Sequence, residues 1–262
     1  MTSNTPLKLN YNLPEAETYL REVATNLPDG IEVYIIGGSI RNALIRETRG
    51  DILTQRDYDL VVTRGSKRFT AYLETLGYEA RPYPSHQDEQ VVYSKPLNEE
   101  AKNGDSYVNW LVFDIHTMDG TTIEENIKDN VAFTVNGCAL NLRDLYFGSW
   151  QHKLIQVLPT ALQDIKDKKL RLNYAGYKYM ATNFYAMLRF ISVGFTPPPE
   201  KDIRLLLNEL PNVEPARFES NVKKVWKYVG GEAKARTLVK SLGIEFDVFD
   251  EKTIKSSLGA AK

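Results

Sequence analysis

The stretch from Val33 to Ile45, read together with Asp57 to Val62, constrains this chain more than any other part of it. Val33-Tyr34-Ile35-Ile36 is an apolar run of strand length, and Ile40, Ala43, Leu44 and Ile45 recur at helical spacing behind it. Between the two stand Gly37 and Gly38, which allow backbone conformations and a close ligand approach that a side chain would block. The free N–H groups of such a helix start, with the Ser39 hydroxyl, favour phosphate. In Asp57-Tyr58-Asp59 the strand period of two turns both carboxylates to one face and Tyr58 to the other. Two like charges so close repel each other unless a cation lies between them. Mg²⁺ takes oxygen ligands from one or two carboxylates plus substrate phosphates, which makes Asp57 and Asp59 candidate metal ligands.

The order Gly37-Gly38, Arg41, then Asp57 and Asp59 resembles the head domain of class II tRNA nucleotidyltransferases (CCA-adding enzymes) and bacterial poly(A) polymerases. Their signature is Gly-Gly-x-x-Arg-Asp, a short gap, then Asp-x-Asp. The resemblance continues downstream, over about residues 31 to 195. Val108 to Met118 is similar to a later head strand carrying an acid in Glu-Val-x-Thr-Phe-Arg, with Asp114 in the acid's place. Thr122-Ile123-Glu124-Glu125-Asn126-Ile127 looks like Ser-x-Glu-Glu-Asp-Leu, and Phe133-Thr134-Val135-Asn136 looks like Phe-Thr-x-Asn. Leu162 to Arg171 is similar to the Asp-Leu-x-x-x-x-Ile-Arg segment that leads into the neck. Three departures stand beside these matches. Asn42 replaces the acid after the first arginine, Asn130-Val131-Ala132 replaces Arg-Arg-Asp, and the base-reading Glu-Asp-x-x-Arg has no clear counterpart before Met187 to Phe195.

The resemblance implies an α+β fold: a polymerase beta-like nucleotidyltransferase head with a small mixed sheet and helices, then an all-α domain. The expected divisions are 1–30, an N-terminal helix packing on the head; 31–150, the head; and 151–262, a helical, neck-like domain. The implied activity is template-independent addition of nucleotides from CTP or ATP to an RNA 3′ end, tRNA being the leading acceptor, with two Mg²⁺ ions. Asp57 and Asp59 would hold the metal, and Asp114 would complete the cluster or activate the acceptor hydroxyl. Gly37, Gly38, Ser39, Arg41 and Asn136 would bind the nucleotide. Arg41 either grips phosphate or buttresses a head carboxylate; Asn136 either contacts ribose or satisfies backbone groups. Only 67 residues follow Phe195, so either the acceptor is smaller than in the resembled enzymes or another chain supplies part of the grip. Two further readings stand beside this one: nucleotidyl transfer to a protein or small molecule, and a catalytically lapsed RNA-binding or interaction module.

A net charge of -1 and a pI near 6.4 give no global case for nucleic acid, so any RNA contact must rest on a local stripe. Lys166, Lys168, Lys169, Arg171, Lys178 and Arg189, interleaved with Tyr174, Tyr177, Tyr179 and Tyr185, form the candidate RNA path. Such a mixture either tracks phosphates and stacks bases or is a solvated face whose tyrosines pack the core. Lys223, Lys224 and Lys227 read as an exposed helical stripe, and Arg56 as a surface charge. His116 shares a face with Asp114 and reads as structural or hydrogen-bonding. The single Cys138 rules out an internal disulfide and suits a reducing compartment. No apolar run reaches membrane-spanning length, and the first residues lack a signal pattern, so a soluble cytoplasmic protein is expected.

Periodicity predicts helices over 14–24, 39–47 and 66–77, a capping-box helix from Thr122, and helices over 200–209, 215–229 and 232–242. Strands are expected near 31–36, 57–63, 89–94 and 107–118. A hairpin turn is expected at Asn103-Gly104-Asp105, a helical pattern from about 174, and a frayed tail over Ser256 to Lys262.

Overall fold

The computed structural model describes residues 7, 9, 14–50, 57–81, 90–98, 110–146 and 150–259. Arg56, Val108, Asn109 and the turn at Asn103-Gly104-Asp105 lie outside them. The chain forms two compact units: Met1–Ile127 with Asn136–Lys166, and Lys128–Val135 with Asp167–Lys262. The second unit therefore begins after Lys166 and includes an earlier segment, where the sequence placed a single boundary at 150. That segment is tied to the second unit by hydrogen bonds that no local pattern reveals.

The first unit is built on seven strands: β1 (Glu32–Ile35), β2 (Asp57–Arg64), β3 (Glu79–Arg81), β4 (Gln90–Pro96), β5 (Trp110–Thr117), β6 (Cys138–Asn141) and β7 (Ile155–Gln156). Their order is β3-β4-β5-β2-β1-β6-β7, and among the described strands only the β2–β5 pair is parallel. Helices α1 (Pro14–Thr25), α2 (Gly37–Arg49), α3 (Ser66–Thr75), α4 (Ile123–Asn130) and α5 (Ala161–Asp167) complete the expected α+β arrangement.

The apolar alternation of β2 and β5 explains why these strands sit at the centre. Tyr58, Leu60, Phe113 and Ile115 are fully buried on one face. Tyr58 meets Phe113 edge-on with centroids 6.0 Å apart, and Tyr78, just past α3, stacks on Phe113 at 5.2 Å. On α3, the Tyr72 hydroxyl donates to the carbonyls of Glu22 and Val23, fixing α1 against this layer. Each such burial contributes about 1.5–3 kcal/mol. Together they outweigh the repulsion among acids that the same two strands carry on the opposite face.

Local signals define several helix ends. Glu125 accepts from the Thr122 N–H at 2.9 Å while Thr122 accepts from the Glu125 N–H, so the capping box forms as expected. Gly50, with φ 77°, closes α2 by donating its N–H to the Arg46 carbonyl.

The second unit consists mainly of helices: α6 (Asn183–Ser192), α7 (Glu200–Glu209), α8 (Pro215–Val229), α9 (Glu232–Ser241) and α10 (Glu251–Leu258). Its core gathers Phe184, Tyr185, Met187, Leu188, Val225 and Val248, with the Tyr185 hydroxyl donating to the Val248 carbonyl at 2.8 Å. Residues 174–182 are turns rather than the helix expected from 174, because Asn173 diverts the backbone. Its Nδ2 donates to the carbonyls of Lys128 and Val131, and its Oδ1 accepts from Ala175 N–H. The expected fraying at Ser256 is also overturned through Leu258. Asp250 caps α10 by accepting from Thr253 N–H at 3.0 Å, and Ile254 is buried beneath it.

Candidate active site

The parallel register sets Asp57 opposite Val112 and Asp59 opposite Asp114. Side chains paired across neighbouring strands share a face, so Asp57, Asp59 and Asp114 lie together on the side away from Tyr58 and Phe113. Asp57 is exposed, while Asp59 and Asp114 are half-buried. Among the described residues no three His, Cys, Asp or Glu side chains converge as a ready-made metal site. The three carboxylates are nonetheless close enough to act on one another. Burial, then the charges of Asp57 and Asp114, push the Asp59 carboxyl up to about 7, against the opposing pull of the Gly38 N–H and Arg41.

Asp59 is held at the turn that the glycines make. Its backbone carbonyl accepts from Ile36 N–H at 3.1 Å, and its carboxylate lies against Gly37 at the start of α2. Gly37 has φ 61°, and a Cβ there would lie 2.8 Å from Asp59 Oδ2. Glycine is thus required twice, by backbone angle and by contact. Ile36, at the N-cap position, makes no side-chain cap, and the Asp59 carboxylate from the neighbouring strand lies beside this helix start, where negative charge is favoured.

Arg41 and Asn136, both expected at the nucleotide, come together, with Asn42, one of the departures from the resembled pattern, as a further partner. Arg41 Nη1 donates to Asn136 Oδ1 at 2.6 Å, and its Nε donates to Asn42 Oδ1 at 3.1 Å. Asn42 therefore takes up the role of orienting the guanidinium, whose field reaches Asp59. Ser39 departs from expectation. It is fully buried and its hydroxyl has no hydrogen-bond partner, so it is not presented to an approaching phosphate. His116, opposite Val61 on the same face as Asp114, is held below its ordinary value by burial, with Asp114 opposing. Cys138 is buried, and burial pushes its thiol up to about 12, which leaves it inert.

No protein-family model matches the chain, and no curated protein sequence is significantly similar to it. Solved structures do match. The Thermotoga maritima CCA-adding enzyme complexed with tRNA superposes with a TM-score of 0.61 at 18% identity, covering 88% of this chain and 51% of that one. A CCA-adding enzyme in complex with ATP gives 0.62 at 18% identity, covering 87% and 52%. A tRNA nucleotidyltransferase complexed with a primer tRNA and an incoming ATP analog gives 0.56 at 18%, covering 81% and 58%. The chain has the fold of the CCA-adding enzymes. It spans about half the length of these structures.

Against that fold, the segment in place of Arg-Arg-Asp is a packing element. Val131 and Ala132 are buried, and the Val131 carbonyl accepts from Asn173. The expected RNA-path residues fall into different settings. Lys166 is exposed at the end of α5 in the first unit. In the second unit Lys169, Arg171 and Lys178 are exposed, and Lys168 is half-buried with its Nζ donating to the Val193 carbonyl. Arg189 is half-buried, with its guanidinium 5.8 Å from the centre of the exposed Tyr228 ring. The tyrosines divide as well: Tyr174 and Tyr179 are exposed, whereas Tyr177 and Tyr185 belong to the core.

Proposed function

We propose that this chain is a nucleotidyltransferase that adds nucleotides from nucleoside triphosphates to an RNA 3′ end, with tRNA as the leading acceptor. One observation carries the reading: three carboxylates share a sheet face at the glycine turn, where the N-terminus of α2 supplies hydrogen-bond donors. Among the structurally similar proteins one is held with tRNA and another with ATP, and a further CCA-adding enzyme of the same fold is in complex with CTP, which supports the same choice of substrates.

The donor set fits Mg²⁺. Asp59 is crowded by two further carboxylates, and a hard cation taking oxygen ligands relieves that repulsion, with triphosphate oxygens completing its shell. Asp57 and Asp59 would hold the ions, with Asp114 beside them. When bound, two such ions would lower the pKa of an acceptor hydroxyl and offset the charge of the leaving pyrophosphate. Arg41, oriented by Asn42 and Asn136, adds positive charge beside the phosphates. The protein's part is alignment and charge stabilisation, with no covalent enzyme intermediate.

The packed segment Asn130-Val131-Ala132, in place of Arg-Arg-Asp, favours a second reading, in which the head has lost catalysis and serves as an RNA-binding or interaction module. One experiment separates the readings. The protein is incubated with Mg²⁺, each labelled nucleoside triphosphate, and either tRNA lacking its terminal nucleotides or total cell protein. Label in the tRNA is the expected result, label in protein would move the acceptor from RNA to protein, and no label in any reaction supports the second reading. Absence of label from every acceptor would overturn enzymatic transfer. Asp57→Ala and Asp59→Ala are expected to abolish incorporation while the far-ultraviolet circular dichroism is retained.

A further inference from the structure

The second unit carries a cavity of about 250 Å³ where the turns at 178–182, the end of α7 and the start of α8 meet. Tyr179 N–H donates to the Gly176 carbonyl and Asn183 N–H to that of Met180, each at 3.1 Å, while Asn183 Nδ2 donates to the Tyr177 carbonyl at 2.8 Å. These bonds fold the backbone tightly and leave two large side chains of the cavity outside the core, Tyr179 at 53% and Met180 at 37% exposure. Of the ten lining residues only Met180, Ala181 and Val213 are wholly apolar, which suits the cavity poorly to the apolar anchor of a protein partner. The rest carry charge or hydrogen-bonding groups. Asn212 Nδ2 donates to Glu209 Oε2 at 3.1 Å, and Arg217 Nε lies 3.5 Å from Glu214 Oε2, so both lining carboxylates are held by lining neighbours.

Resting on the nucleotidyltransferase reading above, we propose that this cavity takes one unpaired base of the RNA acceptor. Its volume lies just under the roughly 300–1,000 Å³ of sites that enclose a whole small molecule, so it suits one planar group whose sugar and phosphate stay outside. The exposed Tyr179 ring offers a stacking face, and Lys178 and Arg217 bring positive charge to the flanking phosphates. Glu209 and Asn212 present the base edge with a carboxylate and an amide. A carboxylate accepts and cannot donate, so a base with an amino group on its pairing edge is favoured over uracil, which flanks its one imino donor with two carbonyls.

The test compares short, labelled, unstructured RNAs by fluorescence anisotropy: oligoadenylate, oligouridylate, and an abasic strand that keeps the phosphates and lacks the bases. The wild type is expected to bind oligoadenylate most tightly. Tyr179→Ala should weaken that binding about fivefold or more, as loss of one base–aromatic stack does, and leave the abasic strand unaffected. Tyr179→Phe should keep the affinity. Tyr228→Ala is the matched control, since Tyr228 is as exposed at 56% and does not line the cavity. Equal losses in the two alanine variants, or equal wild-type affinity for intact and abasic strands, would overturn the base pocket. Glu209→Gln should narrow the preference for oligoadenylate over oligouridylate, and an unchanged preference would overturn the assigned edge. If the wild type labels tRNA while Tyr179→Ala binds oligoadenylate like the wild type, the pocket alone fails. If the wild type binds neither RNA nor a non-hydrolysable ATP analogue in Mg²⁺, the nucleotidyltransferase reading itself fails.

Discussion

Asp59 sets the behaviour of the site at the level of single residues. Its carboxyl is held at about 7, well above the usual carboxylate value near 4. Between those two values, and without a divalent cation, the folded chain binds more protons than the unfolded chain. This contribution to stability therefore declines as pH rises through that window and is flat above it, by at most on the order of 4 kcal/mol. Asp59→Asn abolishes the titration. In EDTA the wild type is expected to be less stable relative to Asp59→Asn at about pH 8 than at about pH 5, read by urea unfolding; an equal difference at both would refute it. Gly37→Ala tests the turn. A positive φ and a Cβ at 2.8 Å from Asp59 Oδ2 predict a loss of roughly 1–3 kcal/mol, seen as a lowered Tm, with incorporation falling more than stability does. The paired acids and the glycines were readable from sequence, since strand period and turn chemistry are local. The contact between Arg41 and Asn136 was not, because the two residues are 95 positions apart and no local pattern links them.

Among the elements, those with long periodic faces were legible and short ones were not. Helices over 200–209, 215–229 and 232–241 follow their apolar spacing nearly to the residue, helped by Pro215 at the first turn of α8 and Gly230 after its end. β3, β6 and β7 span only two to four residues, too few for a period to register. α5, with seven residues, was missed for the same reason. α10 escaped because it lies in a polar terminal stretch and depends on Asp250 as a cap and on the burial of one residue, Ile254. The turn over 174–182 depends on Asn173, whose amide closes two carbonyls of a distant segment. Asn173→Ala would leave those buried acceptors without this donor and is expected to cost about 1–3 kcal/mol. Thermal unfolding measures the loss, and an unchanged Tm would show that the segment is held by other means.

For the molecule as a whole, a net charge of -1 means that the proposed RNA acceptor would have to be held by a few exposed cations rather than a global field. Lys169 and Lys178 are exposed, whereas Lys168 is committed in part to the Val193 carbonyl. Replacing Lys169 and Lys178 by Glu is expected to weaken tRNA binding and to lower the slope of log affinity against log salt by about 0.7–0.9 per lost phosphate contact. Filter binding over a salt series reads both, and binding of the ATP analogue in Mg²⁺ should stay unchanged. A slope identical to that of the wild type would remove these two lysines from the RNA path.

The β2–β5 pairing carries a genetic corollary. Since Asp59 faces Asp114 only in one alignment, adding or deleting a single codon within either strand would send an acid to the tyrosine-packed side and break up the acidic face proposed as the reaction centre. The same constraint reaches β4, which lies between the two in sequence and pairs with β5 along its length, so only the loops that join these strands can change in length without disturbing the alignment.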